Sequence, residues 1–144
     1  MIKLIPLDDK DVERLLRWIA LDEFHRDLPL NPYFWLTAAH GSLLAFRLDD
    51  NDGPLCYVRL DEKDSLGEIR LHTQFAPRDE VSKLRLVKGM LQCIPMVLYE
   101  CRRQHAAGII FESVSPTLIG FMKKKFGFKP AGGTDYILPL QEGV

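Results

Sequence analysis

Apolar positions recur along this chain in two rhythms, one of about 3.6 residues and one of two, which mark helices and half-buried strands respectively. Ile2 to Leu7 reads as a short strand. Asp8 and Asp9 then offer an N-cap, and Val12, Leu15, Leu16 and Ile19 repeat at helical spacing behind them. A second, shorter helical piece is expected over Asp22 to Leu28. The runs LLAFRL (Leu43 to Leu48) and PLCYVRL (Pro54 to Leu60) are joined by DDNDG, which predicts a hairpin. Next comes LGEIRLHTQF, Leu66 to Phe75, a strand by alternation.

Val81, Leu84, Val87, Leu91, Ile94, Leu98 and Cys101 step along one face of a long helix, which Pro95 should kink. GIIFES, from Gly108 to Ser113, is nearly all apolar, as expected of a strand covered on both faces. Ser115-Pro116 opens a further helix and Gly127 closes it. FKPA, a Gly132-Gly133 turn and the strand TDYILPL end the chain. The order is strand, one or two helices, three strands, helix, strand, helix, two strands. It predicts one α/β domain over residues 1–144, a mixed sheet with helices on both faces.

Composition narrows the function. The chain has 144 residues, 47% of them apolar and 27% charged, the balance of a soluble globular domain. A formal net charge of −1 gives it no electrostatic reason to seek nucleic acid or an anionic membrane. Lys123, Lys124 and Lys125 read as a solvated helix face. Three cysteines without paired spacing suggest neither disulfides nor zinc, and DDNDG lacks the spacing of a calcium loop, so no metal is expected. No signal peptide is visible, nor any apolar run of the ~20 residues a membrane span needs. A cytoplasmic protein is expected.

Candidate chemistry lies on the strand ending at Phe75. Ile69, Leu71, Thr73 and Phe75 share one face, and Glu68, Arg70, His72 and Gln74 the other. Four polar residues on one face of a covered central strand need water or a cavity, as in a substrate cleft; a sheet wet on one side would also explain them. His72 suits proton transfer, with an ordinary pKa near ~6.5. The stretch FAPRDEVSKLRLVKG turns from strand to helix and carries Arg78, Lys83, Arg85 and Lys88, with Gly89 at its far end. Helix starts favour anions, although cations also decorate ordinary helix surfaces. Tyr33, Phe34 and Trp35 lie in a proline-flanked stretch and would either wall a pocket or seal the core edge.

The element order, with the ending SPTLIGFMKKKFGFKPAGGTDYIL, resembles the GNAT superfamily of acyl-CoA-dependent N-acyltransferases over nearly the whole chain. Its most specific piece is the helix ending in Gly127-Phe128, then a short strand, a glycine turn and a final strand. The resemblance implies a mixed, mostly antiparallel sheet of six or seven strands. Its fourth and fifth strands would part near Gln74, with acyl-CoA in the gap. It further implies acetyl-CoA or another acyl-CoA as cosubstrate and a small-molecule or peptide amine as acceptor. Glu68 or His72 would be the base, and backbone at Thr73, Gln74 and Phe75 would hold the pantetheine arm. Arg78, Lys83, Arg85, Lys88 and Gly89 would face the phosphates, and Tyr33, Phe34, Trp35 and Arg70 the acceptor.

The family's phosphate loop, Q/R-x-x-G-x-G/A, is degraded here. In one register it falls on Glu80 to Arg85, without glycine; in the other on Arg85 to Met90, with Gly89 between the expected places. The tyrosine that many members carry four residues before the GF glycine is replaced by Lys123, or by Met122 in the other count, and Tyr136 is the nearest tyrosine in sequence. The alternative is a GNAT-fold binding or assembly module that has lost the cofactor. An exposed sheet edge would suit a homodimer.

Overall fold

A computed structural model describes residues 1–27 and 42–140. Tyr33, Phe34 and Trp35 lie outside the described residues. The elements run β1 (Lys3–Pro6), α1 (Asp11–Leu21), β2 (Ser42–Asp50), β3 (Gly53–Asp61), β4 (Glu68–Phe75), α2 (Lys83–Arg103), β5 (Gly108–Glu112), α3 (Pro116–Phe126), β6 (Lys129–Pro130) and β7 (Asp135–Pro139). One seven-stranded sheet has the order β1-β2-β3-β4-β5-β7-β6. Every neighbouring pair is antiparallel except β4 with β5. A parallel pair needs a crossover, and α2 supplies it. The expected α/β architecture is present.

Helices cover both faces of the sheet. On β3, Tyr57 bonds to Asp11 of α1, whereas its neighbour Cys56 lies by Cys93 of α2. Adjacent strand residues point to opposite faces, so the two helices sit on opposite sides. The carboxylate of Asp11 is 1% exposed and accepts from Tyr57, Arg14 and Arg47. A buried charge is tolerated only when paired in this way, and here it fastens α1 to β2 and β3.

Three local expectations change. The N-cap of α1 is Lys10; the Asp8 side chain instead accepts from the Lys10 N–H in a turn just before it. Described residues from Asp22 to Asp27 form a turn instead of a second helix, because the Asp22 side chain captures the Phe24 N–H. The buried face of α2 is rotated: Met90, Cys93, Ile94, Val97, Leu98 and Cys101 face inward, while Leu84 and Leu91 are exposed. Pro95 sits within α2, which runs from Lys83 to Arg103 as one helix. At α3 the sequence signals hold. Ser115 caps α3 through the Leu118 N–H, and Gly127 ends it in the left-handed conformation, φ 82°.

Candidate active-site cleft

The site begins where a ladder stops. β4 and β5 pair over Glu68↔Gly108, Ile69↔Ile109 and Arg70↔Ile110 only. Beyond Arg70, β4 continues to Phe75 paired with β3 alone, and β5 continues paired with β7 alone. The strands therefore part after Arg70, earlier than the expected Gln74. The side of β4 turned toward β5 keeps backbone donors and acceptors that no strand satisfies, an arrangement that calls for a ligand or water. A cleft of about 1390 Å³ opens there, larger than the ~300–1,000 Å³ of an ordinary small-molecule pocket.

Two surfaces meet in this cleft. Leu71, Phe111, Met90, Phe121 and Met122 give it an apolar side below the strands. On the α1 side stand Arg70, His72 and Gln74, the polar face read from alternation. Glu68 is not among the lining residues. It lies in the paired part of β4, where its backbone N–H and C=O close a turn with Asp64. Of the two candidate bases, His72 lines the cleft and Glu68 does not.

His72 bonds through Nε2 to Asp61 Oδ2 at 2.8 Å, and Arg59 holds the other carboxylate oxygen at 3.0 Å. An ionised carboxylate only accepts, so Nε2 carries the hydrogen and Nδ1 is left with the lone pair of a neutral ring. Burial, with the nearby Arg59 charge, pushes the pKa of His72 below 6.5 against the pull of Asp61. Arg70 is engaged by Asp135 at 3.1 and 3.4 Å, so it enters the cleft as half of an ion pair.

At the cleft mouth the corner from Pro77 to Ser82 leads into α2. Thr73, Gln74, Phe75, Arg78 and Lys83 all line the cleft; Arg85, Lys88 and Gly89 do not. The helix starts at Ser82, whose hydroxyl accepts the Arg85 N–H. The register from Arg85 to Met90 therefore falls inside α2, where backbone N–H groups are already used. Arg85 turns away and pairs with Asp50 through two bonds of 2.8 and 2.7 Å. Gly89 is buried against the sheet: a Cβ there would come within 2.6 Å of Leu55 Cδ1. It permits helix-to-strand packing and has no place at the mouth. The corner's cations at the cleft are Arg78 and Lys83.

Neither residue standing in for the α3 tyrosine can protonate a leaving group from a clear position. Met122 lines the cleft without an acidic proton, and Lys123 is exposed outside it. Tyr136 stacks on Phe111 with ring centroids 5.5 Å apart and is not a cleft residue. A group that sequence reasoning missed does face the cleft: His25, held by Asp22 and Gln74. Its signal, an Asp-x-x-His spacing, gains meaning only beside the polar face of β4.

No helix among the described residues is long and apolar enough to cross a membrane, and none of their His, Cys, Asp and Glu side chains cluster as a metal site would require. No family model matches the sequence. No curated protein matches it either. Solved structures do match. The ribosomal-protein-S18-alanine N-acetyltransferase of Escherichia coli superposes with TM-score 0.70 at 14% identity, covering 100% of this chain and 97% of that one. The putative acetyltransferase yncA of Salmonella typhimurium, determined with acetyl-CoA, gives 0.69 at 13%, covering 98% and 95%. The spermidine/spermine N-acetyltransferase SpeG of Vibrio cholerae gives 0.67 at 11%, covering 97% and 95%. At such identities the likeness is one of fold, and the chain has the GNAT fold.

Proposed function

We propose that this GNAT-fold chain is an N-acyltransferase that moves an acyl group from acyl-CoA to an amine. The observation carrying the reading is the parting of β4 and β5 after Arg70 into an open cleft. Acyl-CoA, when bound, supplies an activated acyl carbon on a thioester.

The residues present fit such a group. Unpaired backbone of Leu71 to Phe75 would bond the pantetheine amides, and Arg78, Lys83 and the start of α2 would take the phosphates. His72 would accept the proton of the incoming ammonium at Nδ1 and free its lone pair for attack. Arg70 and Asp135, on the same side, would orient the acceptor. The bound acetyl-CoA of the Salmonella neighbour supports this choice of donor.

Small amines and peptide amines are both acceptor classes to test, since fold neighbours are named for each. A panel decides it. Acetyl-CoA with polyamines, aminoglycosides and peptide N-termini should release free thiol with at least one class, in proportion to amine added. Thiol release that never depends on the amine would contradict the transfer. One observation favours the second reading, a binding module without cofactor: the corner lacks glycine, and Glu80, paired with Arg17, stands within it.

A further inference from the structure

Gln74 is 1% exposed, yet its carboxamide is fully engaged. Nε2 lies 3.0 Å from Asp22 Oδ2 and 3.2 Å from the Phe75 carbonyl, and Oε1 lies 2.7 Å from His25 Nδ1. A carboxylate and a carbonyl only accept, so the amide nitrogen must face them and the oxygen must face His25. His25 Nδ1 therefore carries a hydrogen and donates it. Asp22 Oδ2, 3.3 Å from the same nitrogen, adds a negative charge beside the ring. Nε2 is left as the atom that gains or loses a proton, on a ring that lines the cleft and is about one-third exposed.

We infer that His25, locked in this way by Asp22 and Gln74, is the proton donor to the sulfur that leaves in acyl transfer. The inference rests on the acyl-CoA reading above. As the carbon–sulfur bond breaks, its electron pair stays on sulfur. His25 gives the Nε2 proton to that pair and becomes neutral. An acceptor ammonium loses two protons overall: one replaces that given by His25, and the other leaves through His72 to solvent. His25 thus takes, from the α1 side of the sheet, the proton-donating role that none of Met122, Lys123 and Tyr136 is placed to fill.

Among the described residues, the charged and titratable groups that share the cleft with His25 are Asp22, Glu23 and Arg26 of its own turn, Arg59 of β3, Arg70 and His72 of β4 beside the neutral Gln74, Arg78 and Lys83 at the corner, Glu112 of β5 and Asp135 of β7. The Asp22 bond raises the pKa of His25 above 6.5, against burial and with help from Gln74. His72, in the same cleft, is displaced the other way. Environments that push two titratable groups apart assign one as acid and one as base.

The test follows the thiol of bound CoA by thiolate absorbance against pH, with desulfo-CoA as the blank. An imidazolium beside the sulfur stabilises the thiolate. In the wild-type complex the thiol should ionise about one pH unit lower than in the His25→Gln complex, a tenfold change in its ionisation constant. Asp22→Asn, which keeps the ring and removes the charge behind it, should give an intermediate value. Equal ionisation in complexes that both form overturns the role of His25 and leaves the acyl-CoA reading standing. Failure of CoA and desulfo-CoA alike to bind the wild-type protein overturns that reading, and this inference with it.

Discussion

Arg85 and Asp50 face each other across the junction of α2 and the β2–β3 hairpin, joined by two hydrogen bonds of 2.8 and 2.7 Å. The pairing holds the Asp50 carboxyl below its usual range and spends the guanidinium on structure. Arg85→Ala should accordingly leave CoA affinity within about twofold of wild type and cost up to about 1 kcal/mol of stability, as a partly solvated pair does. A titration in which Arg85→Ala alone loses tenfold in affinity would return this residue to the phosphate site.

Arg78 and Lys83 carry the opposite expectation. Both line the cleft, Arg78 from the corner before α2 and Lys83 from its first residue, and Lys83 has no acidic partner among the described ion pairs. Replacing either by Ala should weaken CoA about tenfold, near 1.4 kcal/mol, and steepen in low salt. Dephospho-CoA and pantetheine, compared in the same assay, would show which phosphate each cation meets.

Proton transfer separates the two histidines by pH. His72 is a base only when neutral, and its depressed pKa keeps it neutral to below pH 6.5. His25 is an acid only when charged, and its raised pKa keeps it charged to above 6.5. The profile of kcat/KM should be a bell whose acidic limb lies below 6.5 and whose basic limb lies above it. His72→Gln should lower kcat by about 10²- to 10⁴-fold, whereas Glu68→Gln should leave it nearly unchanged. The reverse ranking would restore Glu68 as the base.

The same network contributes to stability in a defined window. His25 has a folded pKa above 6.5, so its contribution is complete below that value and is lost as pH rises through the folded pKa. For Asp22, burial works upward, but bonds from His25, the Phe24 N–H and Gln74 outweigh it and lower its pKa. That contribution is present above 3.8 and lost as pH falls. The melting-temperature gap between wild type and His25→Gln should therefore be widest around pH 5 to 6, on the order of those limits, and shrink toward pH 9. A gap that stays constant across that range would show that the ring acts by packing alone.

Gly89 offers a check on packing free of any ligand. A methyl group at this position meets Leu55 Cδ1 at 2.6 Å and Leu48 Cδ2 at 3.5 Å, both in the core. Gly89→Ala gains helix propensity yet should lose about 1–3 kcal/mol in chemical denaturation, because overpacking outweighs the propensity gain. Net stabilisation would mean that Leu55 yields its place easily.

Much of this was legible in the chain, and the reasons are local. Ser115 and Gly127 bound α3 because caps depend on immediate neighbours. The polar face of β4 followed from a period of two, and three of its four residues do line the cleft. What escaped the sequence depends on partners far along it. Nothing near Arg85 announces Asp50, 35 residues away, so its cation read as free. Nothing near His25 announces Gln74, 49 residues away, so an Asp-x-x-His turn read as a helix start. The inward face of α2 differs from the stripe its sequence predicts because Leu84 and Leu91 fit a helical period that the packing on Leu48 and Leu55 rotates outward.

The central claim is that the gap between β4 and β5 holds acyl-CoA, and calorimetric titration with CoA tests it most directly. The account predicts saturable heat with a dissociation constant between about 1 µM and 1 mM, with a melting temperature that rises as CoA saturates the protein. No heat and no thermal shift at millimolar CoA would contradict it.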